Sequence, residues 1–279
     1  MKEKIKERRK QIEANLKNSV NKIKENLSRS PVLFSLKIGE DPSSDVYREN
    51  LKKKADKLGI ELRLEQNQES HAEEILKEVN RSEDIDGIII HCSREKMLHF
   101  SQFIAPEKDV EGITPWNLGR LLRGEATICP ATPLAVLEIL NVLNYDPEGK
   151  RTLIIGRSLI VGKPLFLLLL QKNATITVAH SRTRELGELT RNAELIILAA
   201  GKPALLKPDM VSPATLVVDV GINVVGKKVV GDADPSVGEK AILTPVPGGV
   251  GTFTPYMLFS NLIKTIWRKI EGETSNSPV

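Results

Sequence analysis

The chain has 279 residues, 41% hydrophobic and 27% charged, an ordinary globular composition long enough for two domains at roughly 100–200 residues each. A formal charge of only +4 and 4% aromatic content argue against a nucleic-acid reader, which needs a basic stripe with aromatics or a reading motif. The two cysteines, Cys92 and Cys129, form no CxxC pair, which argues against a disulfide framework or structural zinc site and fits a reducing compartment.

In chain order, the lysine- and arginine-rich start reads as an amphipathic helix, because Ile12, Leu16, Val20, Ile23 and Leu27 recur at steps of three and four. Pro31 marks its end. Val32 to Ile38 is a β-rich run, and Ser43 or Ser44 is placed to cap a helix running through Leu58 and ended by Gly59. Strands over Ile60 to Leu64 and Ile85 to Ile90 flank a helix over Ala72 to Val79. After a polar stretch the alternation resumes: helix Pro133 to Leu143, strand Thr152 to Ile155, helix Gly162 to Leu170, then strands Thr175 to Ala179, Glu194 to Ala199 and Thr215 to Val220. This βαβ rhythm predicts parallel sheets covered by helices. Lys227, Lys228 and Val229 suit a hairpin arm beside Gly226. Thr254-Pro255 starts a final helix with Phe259, Ile263, Ile266 and Ile270 on one face. Glu273 to Val279 read as disordered. The longest apolar runs, such as Leu165 to Leu170, are too short to span a membrane. No signal-peptide h-region is present, so a cytoplasmic location is expected. The chain divides near residue 118, and the stretch from there to about 254 is one α/β unit.

The strand at Thr152 to Ile155 runs into Gly156-Arg157-Ser158-Leu159-Ile160-Val161-Gly162-Lys163-Pro164. A strand that turns at glycine into a helix offers free backbone N–H groups and a positive helix end to a phosphate. A P-loop fits poorly, since the spacing is one residue too long and Pro164 stands where the magnesium-holding Ser or Thr belongs. GxGxxG is not met either, and on local pattern alone a plain strand-to-helix turn remains open. After the next strand comes His180-Ser181-Arg182-Thr183. An NAD site would carry Asp or Glu there for the ribose hydroxyls. Ser181, Arg182 and Arg157 instead suit a 2′-phosphate, which favours NADP; the bland alternative is a basic surface loop.

Together these pieces resemble the bifunctional methylenetetrahydrofolate dehydrogenase/methenyltetrahydrofolate cyclohydrolase family, from Val32 to the last helix. The similarity is carried by Gly156 to Pro164, His180 to Thr183, Val218-Asp-Val-Gly-Ile-Asn223, Val230-Gly-Asp232, Thr244-Pro-Val-Pro-Gly-Gly-Val-Gly251, Cys129-Pro-Ala-Thr-Pro133 and Lys108-Asp-Val-Glu-Gly112. The resemblance implies an α/β fold of two domains flanking a cleft. Residues 1–118 plus 255–279 would form the folate-binding catalytic domain, and 119–254 the Rossmann-type NADP-binding domain. It also implies a homodimer, a folate substrate, and a place in one-carbon metabolism and purine biosynthesis. NADP would lie on Gly156, Arg157, Ser158, Gly162, Ser181 and Arg182, with Ile222 beside the nicotinamide half. Tyr47, Glu111, Pro247, Gly248 and Gly249 would contact folate.

The sequence departs from the family pattern at three places. The family's Tyr-x-x-x-Lys becomes Tyr47 followed by Leu51; Lys52, Lys53 and Lys54 follow but face elsewhere on a helix. His91 stands where the family carries Gln, and Glu111 where it carries Asp. Tyr47 and His91 are therefore the catalytic candidates. Hydride removal leaves a methenyl cation and needs placement rather than a proton carrier. Ring-opening hydration needs a placed acid or base, which leucine is not. Three readings stand: a dehydrogenase with weak or absent cyclohydrolase, a bifunctional enzyme rescued by His91, and a silent folate or nucleotide binder. His91, Glu95 and His99, spaced by four, would share a helix face and suit a metal, though exposed surface groups are the commoner meaning; no metal site is expected.

Overall fold

The computed structural model describes residues 1–40, 42–226 and 228–272, with the side chains of residues 42–44 and 94 outside the described set. The expected cap at Ser43 or Ser44, the hairpin residue Lys227 and the disorder of Glu273 to Val279 all fall outside what is described. The chain separates into two compact units, one of residues 1–10 and 132–254, the other of residues 11–131 and 255–279.

In the second unit, helix α1 (Lys2–Leu27), which begins in the first unit, leads to β1 (Val32–Ile38), α2 (Pro42–Leu58), β2 (Glu61–Asn67), α3 (Glu69–Arg81) and β3 (Gly87–His91). Then come α4 (Arg94–Phe100) and α5 (Pro115–Arg123). The strands form a parallel sheet in the order β2-β1-β3. Strand residues alternate between faces. Val32, Phe34, Leu36 and Ile38 of β1 join Leu76, Val79, Ile88, Ile90 and Phe100 in one core cluster. Leu33, Ser35 and Lys37 take the opposite face. On that face Gly87 sits so close to Val110 and Leu262 that any Cβ would overlap them.

The first unit holds α6 (Ala131–Val142, from its second residue on), β4 (Arg151–Ile155), α7 (Gly162–Leu170), β5 (Thr175–Ala179), α8 (Leu186–Asn192), β6 (Leu195–Leu198), β7 (Leu216–Asp219), a hairpin of β8 (Asn223–Val225) and β9 (Lys228–Val230), and β10 (Ile242–Leu243). Its sheet is parallel, ordered β10-β7-β6-β4-β5. The order reverses between β4 and β6, a topological switch point, and open α/β sheets bind ligands outside the carboxyl ends of the strands at such a point.

The boundary between units falls at 131/132 rather than near 118. Helix α5 explains the difference: Thr114 caps it by accepting from the Asn117 N–H, and Asn117 Nδ2 donates to Asp109 at 2.8 Å. Further on, Asn261 Nδ2 of α9 (Thr254–Ile270) donates to the carbonyls of Val110 and Cys129 at 2.8 Å each. Among the described residues no helix is long and apolar enough to cross a membrane.

Candidate functional site

At the switch point the Gly156 N–H donates to the Ala179 carbonyl at 2.9 Å, so the turn leaving β4 lies beside the turn leaving β5. Gly156 has φ +140°, and a Cβ there would strike the Ala199 carbonyl oxygen just beyond β6. A Cβ on Gly162 would in turn strike the Gly156 carbonyl. The start of α7 therefore packs directly on the backbone at Gly156. Ser158 Oγ steadies it by accepting from the Val161 and Gly162 N–H groups at 3.2 and 3.3 Å. Arg157, Ser181 and Arg182 are exposed around it. The 180–183 turn is closed by His180 N–H donating to Thr183 Oγ1 at 2.8 Å and Arg182 N–H to His180 Nδ1 at 3.1 Å. No acidic side chain follows β5 within that turn.

Ile222, Pro247, Gly248 and Gly249 line one cavity of about 320 Å³ in the same unit. Its wall is held by two buried carboxylates that sequence reasoning passed over. Asp219 accepts from the N–H groups of Gly221, Asp232 and Ala233, and Asp232 from those of Ala200, Gly201 and Lys202. Gly221 packs on Asp232 and Gly231 on Asp219 with no room for a Cβ on either. The Val218-to-Asn223 and Val230-to-Asp232 motifs thus shape a wall. Burial holds the Asp219 carboxyl above its ordinary value, against the pull of its three backbone N–H donors.

In the other unit, β1, β3 and α2 bring a second group of residues together. The Tyr47 and His91 rings lie 5.8 Å apart, tilted at 59°. His91 Nε2 is 3.0 Å from Ser35 Oγ. Arg48, also buried, donates to the same Oγ and to the carbonyls of Ser35 and Glu65. Lys37 Nζ reaches both oxygens of Asp45 at 2.8 Å. Burial and the nearby Glu111 hold the Tyr47 phenol above its ordinary value, so at neutral pH it remains a proton-bearing donor. Burial, reinforced by Asp109, pushes the Glu111 carboxyl up to about 8, and Glu111 Oε2 has no partner among the described residues. Leu51 is 1% exposed and contributes no polar group.

The expectation that His91, Glu95 and His99 share a helix face is wrong. β3 runs through His91, and α4 begins only at Arg94. Among the described residues no group of three His, Cys, Asp or Glu is placed to hold a metal. Ser35, Lys37 and Arg48 were missed, although Ser35 and Lys37, two apart on β1, were a readable signal of a shared face.

The sequence family described as the tetrahydrofolate dehydrogenase/cyclohydrolase NAD(P)-binding domain matches residues 130–270, and that described as its catalytic domain matches residues 4–111. The bifunctional protein FolD of Dictyoglomus turgidum is 41% identical over 251 residues, 87% of this chain and 89% of that protein. The crystal structure of the bifunctional FolD methylenetetrahydrofolate dehydrogenase/cyclohydrolase of Campylobacter jejuni superposes with a TM-score of 0.89 at 34% identity, covering 95% of this chain and 98% of that one. That of the Trypanosoma brucei enzyme, complexed with NADP cofactor and inhibitor, gives 0.88 at 29% identity, covering 94% and 95%.

Proposed function

Because the chain belongs to the tetrahydrofolate dehydrogenase/cyclohydrolase family, we propose that it oxidises methylenetetrahydrofolate to methenyltetrahydrofolate with NADP. The observation that carries this reading is the turn at the switch point. Gly156 and Gly162 let the turn's backbone pack where no Cβ would fit, so backbone N–H groups and a helix start can meet a pyrophosphate at close range. Arg157 and Ser158 join that site, and Ser181 and Arg182 hold the 2′-phosphate. When bound, NADP supplies the hydride acceptor. Ile222, on the cavity wall, lies beside the nicotinamide half, and Pro247, Gly248 and Gly249 are folate contacts.

Hydride removal leaves a cation stabilised by its two nitrogens, so the chain's own task is placement, worth about 7–11 kcal/mol. Tyr47 and Glu111 do this on the pterin side. The Tyr47 hydroxyl donates, and Glu111 accepts from pterin N–H groups once it has lost its proton. The hydrolytic half-reaction finds no acid or base at Leu51, and His91 is the group the motif leaves beside Tyr47.

We assign the enzyme to the cytoplasm, in keeping with free Cys92 and Cys129, and to a homodimer. The homodimer draws support from the exposed Val224, Val225 and Val229 of the β8–β9 hairpin. Initial rates with methylenetetrahydrofolate and either NADP or NAD test the proposal. Reduction is expected with both and faster at low NADP; no reduction with either refutes it.

A further inference from the structure

Strand β1 carries one charged residue, Lys37, and the function above does not use it. Lys37 is 2% exposed, on a strand otherwise made of apolar residues and Ser35. A buried ammonium carries a desolvation cost, which makes such a pair weak evidence of stabilisation. Its surroundings give it a use. The only acidic group that an ion pair or hydrogen bond gives its Nζ among the described residues is Asp45, whose side chain is 51% exposed. Its register partner on β3 is His91. Paired residues of adjacent parallel strands stand about 4.8 Å apart and point to the same face. Tyr47, two residues beyond Asp45 on α2, lies across that face against the His91 ring. An amine, a carboxylate, an imidazole and a phenol therefore come from one patch, while Leu51 of the same helix is apolar and buried.

We propose that Lys37 is the proton donor for ring-opening hydration of the methenyl product, a lysine carried by the strand in place of the one the helix lacks at Leu51. This rests on the function proposed above, which identifies the methenyl compound as the product made here. Water attacks the methenyl carbon, a C–O bond forms, and one water proton passes to Asp45. The carbon–nitrogen bond of the adduct then breaks, its electron pair going to the departing ring nitrogen, which takes a proton from Lys37 Nζ. The adduct's hydroxyl proton leaves to solvent as the formyl C=O forms. Lys37 recovers its proton from Asp45, so water and methenyl cation yield formyltetrahydrofolate and one released proton.

The test supplies methenyltetrahydrofolate directly and follows loss of its absorbance with enzyme and without, so it is independent of hydride transfer. The full chain is expected to accelerate the decay. Lys37→Met should lower the rate of hydrolysis by about 100-fold or more, the scale of a placed acid or base. Lys37→Arg keeps a cation for Asp45 but holds its proton too tightly to donate it, and should lose hydrolysis equally. Binding of NADP by each variant reports that it has folded, and Lys37→Leu with Leu51→Lys should regain the activity by returning the amine to the helix. Decay by the wild-type chain at the uncatalysed rate overturns the assignment. So does hydrolysis undiminished in Lys37→Arg, or loss in His91→Gln without loss in Lys37→Arg. Failure of hydride transfer with hydrolysis intact would instead refute the dehydrogenase reading.

Discussion

Glu111 shows how burial and a neighbour change a residue's behaviour. Burial and Asp109 lift its carboxyl from 4.5 to about 8, so the folded chain holds a proton that the unfolded chain releases. A group raised in this way supports folding fully below about pH 4.5 and loses that contribution as pH climbs towards about 8. Glu111→Gln cannot ionise. Its melting temperature should match wild type near pH 4.5 and exceed it increasingly up to about pH 8, measured by thermal denaturation. A constant offset at every pH would show that Glu111 does not titrate in this window. Sequence alone exposed Tyr47, His91 and Glu111 through the motifs around them. It did not expose their electrostatics, because the coupling of Tyr47 to Glu111 joins α2 to a loop more than sixty positions away. Ser35 and Lys37 were readable in the alternation of β1, but a run of apolar residues masks two polar ones when it is read as a continuous buried strand.

At the scale of elements, segments with a clear apolar pattern were legible and those without one were not. Helices α1, α3, α6 and α9 and strands β1, β4 and β5 lie close to where periodicity put them, because apolar residues recur in each at the period of its element. Helices α4 and α8 have seven residues each. That is too few for a periodic signal, and α8 starts from Glu185 at φ +51° with no side-chain cap. Helix α5 did carry a signal, the Thr114-Pro115 start, which the polar stretch obscured. The His91–Glu95–His99 spacing misled because strand β3 extends one residue past its isoleucines. The turn between β4 and α7 depends most strictly on residue type. Gly156→Ala would drive a methyl into the Ala199 carbonyl at a backbone angle that L residues avoid. NADP at about 100 times its Kd stabilises a binding-competent protein by about 2.7 kcal/mol. Gly156→Ala should therefore lose the NADP-dependent rise in melting temperature seen with wild type; a full rise in the variant would remove this turn from the cofactor site.

At the scale of the whole molecule, the chain is threaded so that residues 132–254 form most of one unit while segments before and after them form the other. Helix α9 and its Asn261 contacts belong with residues 11–131 for this reason. The apolar face of that helix did not by itself say which partner it would meet, since such a face fits any core of matching width; only the family resemblance assigned it to the N-terminal domain. The exposed hairpin valines belong to this scale too. Replacing Val224 and Val225 with Glu should shift the sedimentation coefficient from dimer to monomer; a wild-type chain sedimenting as a monomer would contradict the assigned assembly. The most direct measurement follows the hydride itself. Methylenetetrahydrofolate deuterated at the one-carbon methylene is incubated with NADP and the enzyme, and the reduced nucleotide is weighed by mass spectrometry. Deuterium in NADPH, matched by methenyl or formyl product, is the expected result. Unreduced NADP, or reduction without the label, would contradict direct hydride transfer from the folate carbon.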